Sequence, residues 1–190
     1  CFNVGNNNLY TDTYLGLFYY NNGHFQKWAM NNGMGNMNSE DLTSEFRRVL
    51  NADANLSFSS PQLGGGAQAS AETYARFLVR ILKNQLHIAS ILGAKPVCTL
   101  PGTCVTAVSS PIPEEFDYSF GHWVESDPTN GDGAFSSAGL FGFYPWIDAT
   151  KTYYGIISRY ALPESESGVA WASIQCGRLI RKAFLSGKAQ

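Results

Sequence analysis

The chain has 190 residues, of which 44% are hydrophobic, 14% aromatic and 15% charged, and its formal net charge is −2. This composition is typical of a folded domain and excludes a disordered chain, which combines low hydrophobicity with high net charge. It also argues against nucleic-acid binding, because the 13 Lys and Arg do not outnumber the 15 Asp and Glu and phosphate binding needs an excess of positive charge.

Residues 1–56 form an Asn- and Gly-rich segment, a composition that favours turns and loops. One strand is predicted in the aromatic run at residues 14–20, and a short helix over Ser39–Leu50. Ser39 is a suitable N-cap, and the charges of Glu40 and Asp41 suit the positive end of the helix dipole. We therefore expect the first part of the chain to consist of loops with a strand and a short helix.

The second part, residues 57–190, carries clearer periodicities. Ser70 is a suitable N-cap for a helix, because apolar residues recur after it at helical spacing, namely Tyr74, Phe77, Leu78, Ile81 and Leu82. Alternation with a period of two then predicts strands at residues 116–124, 140–147 and 153–160. These three strands are expected to form an antiparallel meander.

A closing helix is predicted over residues 167–185. Its expected apolar face comprises Val169, Ala172, Cys176, Leu179, Ile180, Ala183 and Phe184. Arg178, Arg181 and Lys182 lie toward its C-terminal end, where cations interact favourably with the helix dipole. Antiparallel strands followed by such a helix predict an α+β fold, with the sheet covered by helices.

The four cysteines and three histidines have no spacing typical of a metal site, so we expect neither a metal nor a cofactor. Cys98 and Cys104 flank a Pro-Gly turn, which can bring their Cα atoms within the roughly 4.4–6.8 Å of a disulfide. We predict that bond, with two free thiols in a cytosolic protein as the alternative. A disulfide implies a secreted or periplasmic protein, and no apolar run approaches the roughly 20 residues of a membrane span.

Five segments follow one another in a recognisable order. They are the Gly-rich loop 64–66, Ala69-Ser-Ala-Glu-Thr-Tyr-Ala-Arg-Phe-Leu78, Tyr118-Ser-Phe-Gly-His-Trp123, Ser136-Ser-Ala-Gly-Leu-Phe-Gly-Phe-Tyr-Pro-Trp-Ile-Asp148, and Tyr153-Tyr-Gly-Ile-Ile157 before the closing helix. This order resembles the C-terminal part of the serine β-lactamase-like family, which includes β-lactamases, D-Ala-D-Ala carboxypeptidases, esterases and D-aminopeptidases. The resemblance covers about residues 57–185. It implies a β-lactamase/transpeptidase-like fold, of which this chain would be the C-terminal portion only.

The family's acyl-enzyme chemistry uses a Ser-x-x-Lys that supplies nucleophile and base, a Tyr-x-Asn, and a Lys-Thr-Gly or His-x-Gly on the strand beside the site. No serine of this chain is followed three residues later by lysine. The resemblance therefore implies that an N-terminal portion, as a second chain or a missing segment, supplies the nucleophile. Tyr20-Asn-Asn22 and Tyr19-Tyr-Asn21 match Tyr-x-Asn, in a segment where Asn is frequent.

Ser137-Ala-Gly139 occupies the place of the third motif. The resemblance implies that Gly139 lets the strand approach the nucleophile's helix and that the Leu140 N–H donates to the oxyanion of acyl transfer. Ser137 replaces the usual Lys or His, so a cation is missing, and this favours a neutral ester, amide or peptide over β-lactam or D-Ala-D-Ala substrates. Phe141 and Tyr144, on the aromatic strand, are predicted to line the acyl part of the substrate.

Residue types alone also allow less specific interpretations of these positions. Ser137 would then be a turn residue that enters a strand. His122 is expected to be a hydrogen-bonded core histidine on the face that also carries Tyr118, Phe120 and Val124.

Two other functions stay open. Cys1 would be the nucleophile of a self-processed hydrolase, because an N-terminal thiol can use the free α-amine as its base. It would equally serve as a disulfide partner or as a lipid-modified cysteine. A secreted carbohydrate-binding module, with exposed aromatic rings and Asn-rich loops, would explain residues 1–56 but not the order of motifs after residue 57.

Overall fold

The computed structural model describes residues 14–53, 55–162 and 168–190. These residues form two compact units. The first contains residues 14–16 and 20–77, and the second contains residues 17–19 and 78–190. The division falls inside a helix, between Phe77 and Leu78, whereas the change in composition along the chain comes at about residue 56.

The described helices and strands follow in chain order. They are β1 (Phe18–Tyr19), α1 (Gly23–Ala29), α2 (Ser39–Leu50), β2 (Ser57–Phe58), β3 (Ala67–Gln68), α3 (Ala71–Leu82), α4 (Ile88–Ile91), β4 (Val97–Cys98), β5 (Ala107–Ser109), β6 (Asp117–Ser119), β7 (His122–Val124), β8 (Phe135–Ser136), β9 (Tyr144–Ile147), β10 (Tyr154–Ile157) and α5 (Gly168–Ser186). A π-helical turn, Met30–Met34, continues from α1. The sequence predicted no helix at α1, and only two residues of the predicted strand at 14–20 pair as β1.

The first unit packs around a small apolar core, which comprises Ala29, Leu42 and Phe58 with Met34, Met37, Phe46 and Leu63 against them. Helix α2 has the predicted bounds, but its N-cap is Asn38, one residue before Ser39. The Asn38 side chain accepts hydrogen bonds from the N–H groups of Glu40 and Asp41, and the Asp41 carboxylate accepts one from the Asn38 N–H. This reciprocal arrangement is a capping box.

Ser70 caps α3 as predicted, because its hydroxyl oxygen accepts a hydrogen bond from the Thr73 N–H at 3.1 Å. Asp53 adds a second partner for this turn by accepting a hydrogen bond from the Thr73 hydroxyl at 2.7 Å. The start of α3 is therefore held by local capping together with a carboxylate twenty residues earlier in the chain.

The second unit contains a six-stranded sheet in the order β10-β9-β8-β7-β6-β4, in which every neighbouring pair is antiparallel. Helix α5 packs on β9 and β10. Glycines permit the close approach between α5 and the sheet. A Cβ at Gly177 of α5 would lie 2.3 Å from the Tyr144 ring, and one at Gly155 of β10 would lie 2.1 Å from the Trp146 ring. The predicted α+β class with an antiparallel sheet and helices is therefore confirmed.

The strand predicted at residues 116–124 is a hairpin of two strands, β6 and β7. Phe120 and Gly121 both have positive φ, 41° and 90°, which is the backbone of a tight hairpin turn. Tyr118 pairs with Trp123, so these two side chains share one face of the sheet and His122 lies on the other. His122 therefore shares a face with Val124, as predicted, but not with Tyr118, and Phe120 lies in the turn.

The orientation predicted for the closing helix was also wrong. Leu179, Ile180 and Phe184 are exposed, as are Ala172 and Cys176. Arg178 and Arg181 are buried instead. Helix α5 thus turns two arginines toward the sheet, where carboxylates come from segments more than forty residues earlier in the chain. No pattern within the helix itself indicates those partners.

Candidate functional site

The residues proposed for the oxyanion donor lie in the hairpin that joins β8 to β9. The N–H of Ser137 donates to the carbonyl of Pro145 at 3.2 Å, and the N–H of Gly139 donates to the carbonyl of Phe143 at 2.8 Å. The N–H of Gly142 closes the turn by donating to the carbonyl of Gly139 at 2.8 Å. We call residues 137–143 the hairpin tip.

Gly142 is required at the tip for two reasons. Its φ is +93°, a conformation that L side chains rarely adopt. A Cβ there would also lie 2.7 Å from Cγ1 of Val169 and 3.2 Å from the hydroxyl of Ser173, both on α5. Gly139 is less constrained, because a Cβ would meet only the carbonyl oxygen of Phe143 at 3.3 Å and an ordinary contact with the Phe143 side chain.

Leu140 lies near the middle of the tip, and the residue is 48% exposed. Within residues 14–53, 55–162 and 168–190, its N–H has no hydrogen-bond acceptor. Phe141 follows it and is 39% exposed, while Ser137 is half-buried at the base of the tip. Leu140 therefore presents a backbone donor that no described residue accepts from, beside an exposed apolar side chain.

The segment after β10 returns to the tip. Ile157 pairs with Tyr144, so continuing the antiparallel register brings Arg159 opposite Gly142. The side chain of Arg159 accordingly lies near Gly142, since its Cδ would be 3.1 Å from a Cβ at that position. A cation is therefore present beside the tip although Ser137 is neutral. The motifs of the sequence did not indicate Arg159, because the pairing of β10 with β9 is what brings it to the tip.

Tyr160 adds an aromatic ring to the same place. The Phe141 and Tyr160 ring centroids are 5.2 Å apart, and the Ala161 N–H donates to the carbonyl of Phe141 at 2.9 Å. Tyr160 is 75% exposed. Leu140, Phe141 and Tyr160 together form an exposed apolar surface, which we call the tip cluster.

Tyr144 does not join the tip cluster, so its predicted role in substrate binding is not supported. It is fully buried, its hydroxyl donates to the carboxylate of Glu125, and Arg181 donates to its oxygen at 2.7 Å. Burial, together with the negative charge of Glu125, raises the pKa of Tyr144 well above its usual value. Tyr144 is thus a neutral member of an internal network, four residues away from Leu140.

That network, which we call the arginine network, links α5 to the sheet and its loops. Arg181 pairs with Glu125 at 2.7 Å and with Asp132 at 2.5 Å. Arg178 pairs with Glu125 at 3.2 Å and with Glu114 at 2.7 Å. Burial disfavours the charge of Arg181, but Glu125 and Asp132 more than compensate and raise its pKa above the usual value. These ion pairs join the two arginines of α5 to three carboxylates of the loops around the sheet.

His122 is a structural residue. It is buried, and its Nε2 accepts a hydrogen bond from the Gly93 N–H at 2.9 Å, which requires a neutral ring. Burial lowers the pKa of His122 to about 4, against a smaller opposite effect of a hydrogen bond with the Phe120 backbone, and the charge of Lys151 lowers it further. A ring that is neutral and already hydrogen-bonded matches the core histidine that the sequence predicted.

The cysteines divide into three cases. Cys98 and Cys104 form the predicted disulfide, with Cα atoms 5.9 Å apart, across a turn in which Gly102 has a φ of +96°. Cys176 is exposed and has no disulfide partner among the described residues. Cys1 lies outside the described residues, so its role as an alternative nucleophile stays a prediction.

Two further features bear on the other functions considered. Of the aromatic residues at 141–146, Phe141 is the exposed one; Phe143 is half-buried, and Tyr144 and Trp146 are buried. These rings therefore do not form a flat platform for a sugar.

In the part of the chain that the structure describes, no group of three or more His, Cys, Asp or Glu could hold a metal ion. None of the described helices is long and apolar enough to span a membrane.

Comparison with models of protein families, with curated proteins and with solved structures finds no match to the chain. The candidate site is described from the chain's own geometry, as a hairpin tip with a backbone donor and an exposed apolar cluster at the same place.

Proposed function

We propose that the chain is the C-terminal portion of a secreted or periplasmic serine hydrolase, with an N-terminal portion that supplies Ser-x-x-Lys. The reaction is acyl transfer through an acyl-enzyme on a neutral ester or amide, and the fold is that of the β-lactamase-like enzymes. The observation that carries the proposal is the Leu140 N–H, which is unpaired within the described residues at the exposed end of a hairpin between two inner strands of the sheet.

The proposed chemistry assigns distinct roles to the two portions. The serine of Ser-x-x-Lys attacks the substrate carbonyl while the lysine accepts its proton, and a negative charge develops on the carbonyl oxygen. The Leu140 N–H donates a hydrogen bond to that oxygen. Such a donor stabilises the transition state by about 2.7–4 kcal/mol.

The local structure supports a donor of fixed direction. The two hydrogen bonds that Gly139 and Gly142 make within the tip hold the backbone on both sides of Leu140. The contact of Gly142 with α5 then anchors the tip to the rest of the second unit. A donor that is oriented before the reaction begins needs no reorganisation during it, which is why rigid backbone amides serve as oxyanion donors.

The disulfide is consistent with the proposed compartment, because such bonds persist in oxidising environments. Ser137 is consistent with a neutral substrate, because it places an uncharged hydroxyl where a Lys or His would anchor a substrate carboxylate.

The first test is to sequence the coding region upstream of Cys1 and to produce the chain together with that region. We expect an upstream Ser-x-x-Lys, and labelling of the assembled protein by a fluorophosphonate probe at that serine. The 190-residue chain by itself is the matched control and should not be labelled. Stoichiometric labelling of a serine in the isolated chain, or an upstream region without Ser-x-x-Lys, would contradict the proposal.

A further inference from the structure

We infer that the Cys98–Cys104 disulfide is a redox switch that controls whether strand β1 stays paired with β5. Reduction by a protein dithiol opens the disulfide loop, residues 98–104, and thereby releases Phe18 from the aromatic side chains of β6 and β7. These residues are distinct from those of the hairpin tip, so the switch does not depend on the proposed hydrolase.

Strand β1 is held by a short backbone pairing. Residues 17–19 belong to the second unit, whereas the residues on both sides of them in the chain belong to the first. β1 pairs in parallel with β5, and the Phe18 N–H donates to the carbonyl of Thr106 at 2.7 Å. A two-stranded pairing of this length is only marginally stable by itself. The pairing of β1 therefore depends on what fixes Thr106.

The Phe18 ring lies against the face of the sheet formed by β6 and β7. Its centroid is 5.7 Å from that of Tyr118 and 6.3 Å from that of Trp123. These two rings are themselves 4.8 Å apart, and Trp123 is buried. Release of β1 would therefore change the surroundings of the Trp123 ring, which gives the switch a spectroscopic readout.

The disulfide ties Thr106 to the six-stranded sheet. Cys98 lies on β4, which pairs with β6, and its bond to Cys104 fixes the chain two residues before Thr106. The Thr106 hydroxyl donates to Sγ of Cys104 at 3.3 Å, and the Ala107 N–H donates to the Cys104 carbonyl at 3.1 Å. The acceptor of the Phe18 N–H is thus positioned through the disulfide.

Cys98 is the sulfur open to attack. It is exposed, whereas Cys104 is buried. A cavity of about 260 Å³ opens beside Cys98, and its other lining residues are Thr103, Glu115, Phe116, Asp117 and Ser126. Two of these side chains are carboxylates, so the cavity favours the approach of a cationic or neutral thiol over an anionic one.

The chemistry is thiol–disulfide exchange with a dithiol as the reductant. One thiolate of the reductant attacks Sγ of Cys98, the S–S bond breaks, and Cys104 leaves as a thiolate that takes up a proton. The second thiol of the reductant then attacks the mixed disulfide and releases Cys98 as a thiol. The disulfide of the chain gains two electrons and two protons, and the reductant becomes a disulfide.

Hydrogen exchange measures the release of β1. The background is the chain with Cys1→Ser and Cys176→Ser, in which Cys98 and Cys104 are the remaining cysteines. Reduction with dithiothreitol should speed exchange of the Phe18 N–H by about tenfold or more, since local opening becomes easier. The N–H of Ile174, in the middle of α5, should exchange equally in both forms.

Equal exchange of the Phe18 N–H in the two redox forms would overturn the switch. Faster exchange at Ile174 as well would also overturn it, because the disulfide would then stabilise the whole second unit and not β1 in particular. Replacing both Cys98 and Cys104 by alanine should reproduce the reduced form without a reductant, and a Phe18 N–H that stays protected there would count against the switch.

The indole signal of Trp123 tests whether Phe18 carries the response. In the same background, reduction should shift this signal, and Phe18→Ser should abolish the redox-dependent shift. Leu17→Ser is the matched variant, because it replaces the adjacent apolar residue of the same segment, which is exposed, and it should keep the shift. A shift that persists in Phe18→Ser, or that disappears equally in both variants, would overturn the role of Phe18.

The site of attack is tested with two small thiols of opposite charge, cysteamine and 3-mercaptopropionate, at equal thiolate concentration. Peptide mass spectrometry should find the mixed disulfide on Cys98, and cysteamine should react about threefold faster or more. Asp117→Asn should reduce that ratio. Glu40→Gln, which removes the same charge from an exposed residue that does not line the cavity, should leave it unchanged. Adducts mainly on Cys104, or equal rates with both thiols, would overturn Cys98 as the sulfur attacked.

Discussion

The hairpin tip and the arginine network both adjoin strand β9, yet apolar groups are exposed in the one and charged groups are buried in the other. At the tip, apolar side chains are exposed and the Leu140 N–H lacks an acceptor among the described residues. In the network, Arg178, Arg181 and Glu125 are buried, and each is paired with a group of opposite charge. Strand β9 connects them, with Phe141 just before it and Tyr144 at its first position.

This contrast separates residues that stabilise the fold from residues that remain available to a ligand. A buried charge is tolerated when its partners are placed around it, and removing one partner leaves the others uncompensated. An exposed apolar cluster and an unpaired donor contribute little to folding, but both gain from contact with a ligand. We therefore expect substitutions in the network to change stability and substitutions at the tip to change turnover.

The largest expected effect is the loss of Arg181. Arg181→Ala removes the cation that pairs with Glu125 and Asp132 and that bonds to the Tyr144 hydroxyl. We expect the free energy of unfolding to fall by about 3–5 kcal/mol, because Glu125 is left buried beside a missing charge. Urea denaturation of the 190-residue chain measures this.

Lys182→Ala is the control, because this residue is the exposed neighbour of Arg181. It should change the free energy of unfolding by no more than about 0.5 kcal/mol. Equal stability of the two variants would mean that the arginine network is not what holds α5 on the sheet.

The tip should show the reverse pattern. In the assembled hydrolase, Leu140→Pro removes the backbone donor and should lower kcat by about 10²–10³-fold, while Leu140→Ala keeps the donor and should have a small effect. Turnover of a p-nitrophenyl ester measures this, with circular dichroism to confirm that the proline variant is folded. A folded proline variant that is as fast as the parent would refute the oxyanion role.

Gly142 belongs to the tip and lies against α5, so a substitution there tests how much the contact between tip and helix contributes to stability. Gly142→Ala forces a side chain into positive φ, which costs about 1–3 kcal/mol, and also brings the Cβ against Val169. Gly102→Ala meets the same backbone restriction, with a φ of +96°, but has open space around its Cβ. Thermal unfolding should therefore show a larger loss for Gly142→Ala, and equal losses would mean that the contact with α5 is unimportant.

The last prediction is a pH dependence of stability at His122. Burial lowers the pKa of His122 from its usual 6.5 to about 4, so the unfolded chain binds a proton at a higher pH than the folded chain does. Stability from this residue is complete above about pH 6.5 and falls as the pH decreases toward 4.

Urea midpoints at pH 7 and pH 4.5 measure this dependence in the parent and in His122→Gln. The parent should lose more stability between the two pH values than the variant does, because glutamine does not titrate. Identical losses would show that His122 is not the group responsible. The comparison between the two proteins removes the contribution that the carboxylates make to acid sensitivity in both.

Local interactions account for what could be predicted from the sequence. Helix α2 begins and ends at the predicted residues because charges and a capping side chain within its first turn define its start. Ser70 caps α3 for the same reason. The Cys98–Cys104 disulfide follows from a turn between two nearby residues. In each case the interacting groups lie within about six residues of one another.

The candidate site was predictable only in part. Ser137, Gly139, Leu140 and Phe141 lie together at the tip because they are consecutive or nearly so in the chain. Tyr144 was misplaced because all four residues of β9 are buried, so both faces of this inner strand are covered. Arg159 and Tyr160 were missed because only the register between β9 and β10 brings them to the tip.

The sequence by itself determined the class of the fold, the limits of α2 and the pairing of two cysteines, since each depends on periodicity, capping or loop closure over short distances. Tertiary structure alone decided that α5 buries Arg178 and Arg181 and exposes Leu179, Ile180 and Phe184. The physical reason is that an arginine is buried favourably only where carboxylates are placed to pair with its charge. Here they come from Glu125 and Asp132, more than forty residues away in the chain.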